Sequence, residues 1–199
     1  MQLPAYVKTG GYAVLHLIQL ITAMVLTIGI STQAQYGPPK ICLLYISNYH
    51  LQNREFIFDA KSGACGGIVG IGTLGIILSI AFLFISIAYN LRAKLRASRI
   101  ILTLAVVASI FTFVALIGAS MTSVGLKQTC SQFESVSNTS CEAVFATGFF
   151  YDGKVGETYR RNLATVAAAA GAGWVMVLSW AVYAALEWYN YKHESERWW

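Results

Sequence analysis

GGIVGIGTLGIILSIAFLFISIA (residues 66–88), LRAKLRASR (91–99) and IILTLAVVASIFTFVALIGASMTSV (100–124) together decide the architecture. Two uncharged apolar stretches flank a short connection that holds Arg92, Lys94, Arg96 and Arg99 and no acid. A helix needs about 20 residues, at 1.5 Å each, to cross roughly 30 Å of hydrocarbon, and both stretches pass that length. Inside lipid the peptide groups have no water to turn to, so the backbone there must be helical. A buried helix of a soluble bundle would show a polar stripe every three or four residues, whereas the segments from Ile68 and from Ile100 are apolar all round.

Two further stretches, about Tyr12 to Ile30 and about Thr165 to Leu186, also lack Asp, Glu, Lys and Arg. The chain therefore reads as a single all-α membrane domain over 1–199, a bundle of four transmembrane helices at about 12–30, 66–88, 100–124 and 165–186. Outer loops fall at about 31–65 and 125–164, and an inner loop at about 91–99. Composition agrees, with 56% hydrophobic and 12% charged residues in 199, more apolar side chain than a small soluble domain could bury. A net charge of +5 does not point to nucleic acid, because the 14 Lys and Arg residues are nowhere densely interleaved with aromatics.

Lys8, the run after it and Thr32-Gln33-Ala34 have the order of a secretory signal peptide. The apolar core of such a peptide is about 7–15 residues, and Tyr12 to Ile30 is longer, so a retained helix is expected. Short loops rich in Lys and Arg resist translocation, which puts 91–99 and both termini in the cytoplasm of a plasma-membrane or endomembrane protein. Arg160, Arg161 and Lys127 lie on the other side and oppose that bias.

Cys42, Cys65, Cys130 and Cys141 all fall in the two outer segments, as does the glycosylation acceptor Asn138-Thr139-Ser140. Four cysteines permit three connectivities; the two bonds within loops, Cys42 with Cys65 and Cys130 with Cys141, are preferred, each contributing about 3 kcal/mol in the chain-entropy model. Zinc is the alternative, but there is no CxxC and His50 stands alone, so no metal or other cofactor is expected. With no cysteine on the inner side, palmitoylation has no acceptor there. Tyr45-Ile46 and Phe56-Ile57-Phe58 are expected to pair as a small hairpin in the first outer loop.

Small residues recur at four-residue spacing: Gly66 with Gly70, Gly75 with Ser79, Ala115 with Ala119, Ala167 with Gly171, and Ala169 with Gly173. Such faces let helices approach closely, within the chain first and between copies second. Gly70-x-Gly72-x-x-Gly75 matches the dinucleotide fingerprint, yet it follows no strand and meets no acid over the next twenty positions. His16 and Gln19 share a helical face near the inner interface, where an interhelical hydrogen bond is the expected use; a proton relay would want an intramembrane carboxylate, and the four stretches hold none. There is no GxSxG, HExxH or P-loop. Trp188, Tyr189 and Tyr191 anchor the last helix at the interface.

Three stretches together resemble the transmembrane protein 179 family of four-pass proteins: Cys42-Leu43-Leu44-Tyr45; Thr122-Ser123-Val124-Gly125 with Cys130 and Ser140-Cys141-Glu142; and Phe150-Tyr151-Asp152 with Trp174 and Leu178-Ser179-Trp180. The resemblance implies a multi-pass integral membrane protein with cytoplasmic termini. The short tail and the Gly-rich second helix depart from the pattern. The claudin signature, a Trp and Gly-Leu-Trp before two cysteines, fits worse, since the first outer loop has no tryptophan. The tetraspanin Cys-Cys-Gly is absent as well, innexin-like channels have much larger cytoplasmic parts, and a likeness to MARVEL-type proteins rests on topology alone.

The expected function is a non-enzymatic accessory, scaffold or trafficking subunit, surrounded by membrane lipids and bound to another integral membrane protein such as an ion channel or receptor. The alternative is a homo-oligomeric pore lined by His16 and Gln19, or by Thr103, Ser109 and Thr112. An intramembrane enzyme is set aside for want of paired titratable groups.

Overall fold

The computed structural model describes residues 5–36, 41–52, 55–59, 62–91, 98–137, 140–147, 149–150, 158–159 and 161–195. In chain order the elements are α1 (Ala5–Gln33), β1 (Gln35–Tyr36), β2 (Ile41–Cys42), β3 (Ser47–Gln52), β4 (Glu55–Asp59), α2 (Ser62–Leu91), α3 (Ser98–Ser137), α4 (Cys141–Thr147), β5 (Phe149–Phe150), β6 (Thr158–Tyr159) and α5 (Leu163–Ser195). Helices α1, α2, α3 and α5 are long and apolar enough to cross a membrane, over Gly10–Gln33, Gly63–Ala88, Arg99–Ser135 and Leu163–His193. The chain is a multi-pass integral membrane protein.

Helix α1 packs along both α2 and α5, α5 packs along α3, and α2 meets α3 over a shorter seam. Large apolar side chains face outward, with Phe84 66%, Phe113 69% and Leu178 65% exposed, as a lipid solvent allows. The interior combines aromatics with alanine. Trp180 is fully buried against Phe111 (ring centroids 4.7 Å apart) and Phe82 (5.5 Å), while Ala23, Ala108, Ala115, Ala119 and Ala169 line the close approaches.

Three of the five small-residue pairs lie in that interior: Gly75 with Ser79, Ala115 with Ala119, and Ala169 with Gly173. A Cβ on Gly75 would meet Phe111 Cζ at 3.1 Å and Ala23 Cβ at 3.2 Å, so a side chain fits this crossing only if those neighbours give by a few tenths of an ångström. Gly66, Gly70, Ala167 and Gly171 are exposed instead and do not pack between helices of this chain. The large residues set the rotation of each helix. On α5, Ala169, Gly173, Met176 and Trp180 form the inward stripe, which turns Ala167 and Gly171 outward with Trp174 and Leu178.

Helix α3 does not stop at Val124 as the loop boundary of 125 implied. It continues to Ser137, about 20 Å further at 1.5 Å per residue. Thr122, Gly125, Thr129 and Phe133 are buried along one stripe, so the helix is held by what packs on it. Helix α4 is N-capped by Ser140, whose hydroxyl accepts the Ala143 N–H at 3.3 Å, and α5 by Asn162, whose Oδ1 accepts the Thr165 N–H at 3.3 Å. Hairpin β3–β4 pairs Leu51 with Phe56 and Gln52 with Glu55, antiparallel, and carries an irregularity between Ser47 and His50. Phe56-Ile57-Phe58 lie in this hairpin, as expected, but Tyr45-Ile46 do not; they precede it and dock on α3. Asn138, and Arg92, Lys94 and Arg96 of the basic connection, lie outside the described residues.

Candidate functional site

Two structured regions stand at opposite ends of the bundle. The first is a cap over the ends of α1, α2 and α5 and around the extension of α3. Its two bonds are Cys42–Cys65, 23 residues apart in sequence, and Cys130–Cys141, 11 apart. The first ties the chain just after α1 to the start of α2, and the second ties the extended α3 to α4. Among the described residues there is no free cysteine.

Between β2 and β3 the segment Leu43-Leu44-Tyr45-Ile46 lies on α3, with Leu43, Leu44 and Ile46 buried. One side chain organises the contact. The Thr129 hydroxyl donates to the Leu43 carbonyl at 2.8 Å and accepts the Ile46 N–H at 3.3 Å, while the Leu43 N–H donates to Ala34 O at 2.8 Å. Three backbone groups of a buried loop are thereby satisfied without a sheet. Tyr45 adopts a left-handed backbone (φ 64°), uncommon for a residue with a side chain, and its ring lies over Gly125. A Cβ on Gly125 would come within 2.8 Å of Tyr45 Cε2, so only glycine admits this approach. On the far side, Phe133 and Phe145 pack edge to face at 5.8 Å, the Arg161 N–H donates to Phe145 O at 2.9 Å, and the Asn162 N–H donates to Gln33 Oε1 at 3.0 Å. These contacts bring both connections and the end of α1 into one body.

At the opposite end His16 (1% exposed) and Gln19 (0%) point into the interior of this chain. Gln19 Nε2 donates to the Ser179 carbonyl at 3.3 Å, which turns Gln19 Oε1 toward His16 Nδ1 at 2.9 Å. An amide oxygen only accepts, so Nδ1 carries the proton and Nε2 accepts the Ser86 hydroxyl at 3.1 Å. Tyr183, 4.9 Å from the His16 ring, and Phe82, at 6.3 Å, enclose the group, and Asn190 donates to the Tyr12 hydroxyl at 2.7 Å. The order hydroxyl, imidazole, amide is that of a nucleophile relay, but neutral Gln19 cannot stabilise an imidazolium as a carboxylate would. The arrangement clasps α1 to α2 and α5.

The sequence reading missed three residues, Gly125 and Thr129 in the cap and Glu187 on α5. Gly125 and Thr129 were assigned to a loop, although Thr122, Gly125, Thr129 and Phe133 already recur at helical spacing. Glu187 was left outside the last span, whereas α5 carries it within Leu163–His193 at 8% exposure, so an acid does lie in this span. Of the polar residues named for a pore between copies, His16 and Gln19 are internal to this chain, and Thr103, Ser109 and Thr112 each donate to the carbonyl four residues back, at 2.8–2.9 Å. Among the described residues no three His, Cys, Asp or Glu side chains converge as a metal site.

The family model described as the Transmembrane protein 179/179B Claudin domain matches residues 8–197. No curated protein and no solved structure matches the chain. The matched model is that of the transmembrane protein 179 family and is described as a claudin domain, although the first outer loop lacks the claudin tryptophan motif.

Proposed function

Since the chain belongs to the transmembrane protein 179/179B family of claudin-domain proteins, we propose that it acts as a non-enzymatic accessory, scaffold or trafficking subunit of another integral membrane protein, for instance an ion channel or receptor. The observation that carries this reading is the outward face of α2. Gly63, Gly66, Gly67 and Gly70 are exposed there, and nothing lies within 4 Å of the point where each would carry a Cβ. Without a hydrophobic driving force between helices in lipid, close backbone approach through small residues is what brings a second protein's helix into contact. The Cys42–Cys65 bond sits at the same end of α2 and holds this face in register with the cap.

In this reading the cap is extracytoplasmic and both termini are cytoplasmic. The basic residues of 91–99, the disulfides and the Asn138 acceptor support that sidedness. Purification from native membranes in mild detergent, followed by mass spectrometry, is the test. A stoichiometric foreign membrane protein, lost on Gly66→Leu with Gly70→Leu, is expected; a ring of this chain alone that conducts after reconstitution overturns the reading. Glycosidase treatment of the protein from a eukaryotic host should shift its mobility through Asn138.

A further inference from the structure

A groove of about 370 Å³ lies on the membrane face of α3 beneath Tyr45, lined by Tyr45, Leu116, Ile117, Ser120, Met121 and Val124. We propose that it binds one glycerophospholipid, with the phosphate at Lys127 and Tyr45 and one acyl chain laid along Val124, Ile117 and Leu116. The groove opens to the bilayer, since Ile117 is 58% and Val124 56% exposed, so its occupant enters from the membrane. Tyr45 closes the end nearest the cap, and its backbone position over Gly125 fixes that roof.

The polar groups at the groove distinguish it from ordinary lipid-facing surface. Thr103, Ser109, Thr112 and Thr122 on α3 each donate to the carbonyl four residues back. Ser120 makes no such bond, and neither its hydroxyl nor that of Tyr45 has a hydrogen-bond partner among the described residues. Leaving a hydroxyl unmatched in hydrocarbon costs free energy, which an external acceptor would recover. Lys127 follows Val124 by three residues and Ser120 by seven on the same stripe, is exposed, and pairs with no acid among the described residues. Three donors thus stand at successive heights over about 10 Å of helix.

A glycerophospholipid presents acceptors in that order, phosphate oxygens above ester carbonyls, with a chain below. A sterol offers one hydroxyl and leaves the ammonium unmatched. The volume suits a single chain: with water's share of liquid at about 30 Å³ and a methylene of similar size, the groove takes on the order of a dozen chain carbons.

The full chain, purified in mild detergent, should retain one phospholipid per molecule by native mass spectrometry. Phosphatidylcholine with a photoreactive group in mid-chain should label the peptide that carries Leu116 to Met121, and excess sterol should not compete. Lys127→Gln and Ser120→Trp should each lower the retained lipid by about tenfold, the loss of a charge-assisted contact or of the groove itself, with Tm unchanged. Leu178→Trp, on the lipid face of α5, is the control and should have no effect. Labelling spread evenly over all the lipid-facing helices, displacement by sterol, or an equal loss in the control would each overturn the proposal. None of these outcomes depends on whether a partner protein co-purifies.

Discussion

The two ends of the bundle solve one problem with different chemistry. Both must fix α1 against its neighbours where the chain leaves the apolar interior. At the cap the fastening is covalent, through Cys42–Cys65 and Cys130–Cys141, with Thr129 satisfying a loop that has no sheet to join. At the other end it is side-chain hydrogen bonding, from Gln19 and Ser86 through His16, inside an aromatic enclosure. Covalent closure restrains the unfolded chain, whereas a hydrogen bond inside a membrane competes with the other partners that the separated helices would find. The cap should therefore be the more costly end to break.

The largest effect is expected on reduction, or for Cys42→Ala with Cys65→Ala. Stability should fall by about 3 kcal/mol for each bond opened in the chain-entropy model, read as a drop in Tm in detergent with helical circular dichroism retained below it. If reduction leaves Tm unchanged, the covalent half of the comparison fails. Gly125→Val comes next. Forcing a side chain into the Tyr45 contact should cost about 1–3 kcal/mol, and limited proteolysis should then cut the cap before the helices. Gln19→Leu should cost about 1 kcal/mol, and a double-mutant cycle with Ser86→Ala should give a coupling of about 0.6 kcal/mol, the usual size for hydrogen bonds between membrane helices. A coupling as large as the disulfide term would abolish the contrast between the ends. Gly70→Leu, exposed with open space beyond it, should change stability by less than about 0.5 kcal/mol and should be felt only in what co-purifies.

Much of this was legible in the sequence, and for identifiable reasons. Membrane spans declare themselves through the absence of charge, and four cysteines confined to two connections made the two bonds the simplest pairing. Rotation was not legible, because Gly66 with Gly70 and Gly75 with Ser79 have the same spacing, and only the partners Phe111, Ala23 and Met176 show that the second pair faces inward. The extension of α3 was hidden for a related reason. Gly125 and the polar residues after Val124 look like a loop when hydropathy is the only signal, and the stripe through Thr129 and Phe133 has meaning only once Leu43 to Ile46 lie on it. His16 and Gln19 were expected to meet, but Ser86 lies 70 residues from His16 and Ser179 lies 160 from Gln19, beyond the reach of local pattern.

Both covalent links are local, spanning 23 and 11 residues, and neither joins the first two long helices to the last two. The first bond locks the hairpin of α1 with α2, and the second closes the chain between α3 and α4, ahead of α5. The two halves meet non-covalently, through the seams of α1 with α5 and of α2 with α3 and through the docking of Leu43 to Ile46 on α3. Severed at the arginine-rich connection, or made as two messages, the halves would each retain their own disulfide and should find one another again in the bilayer.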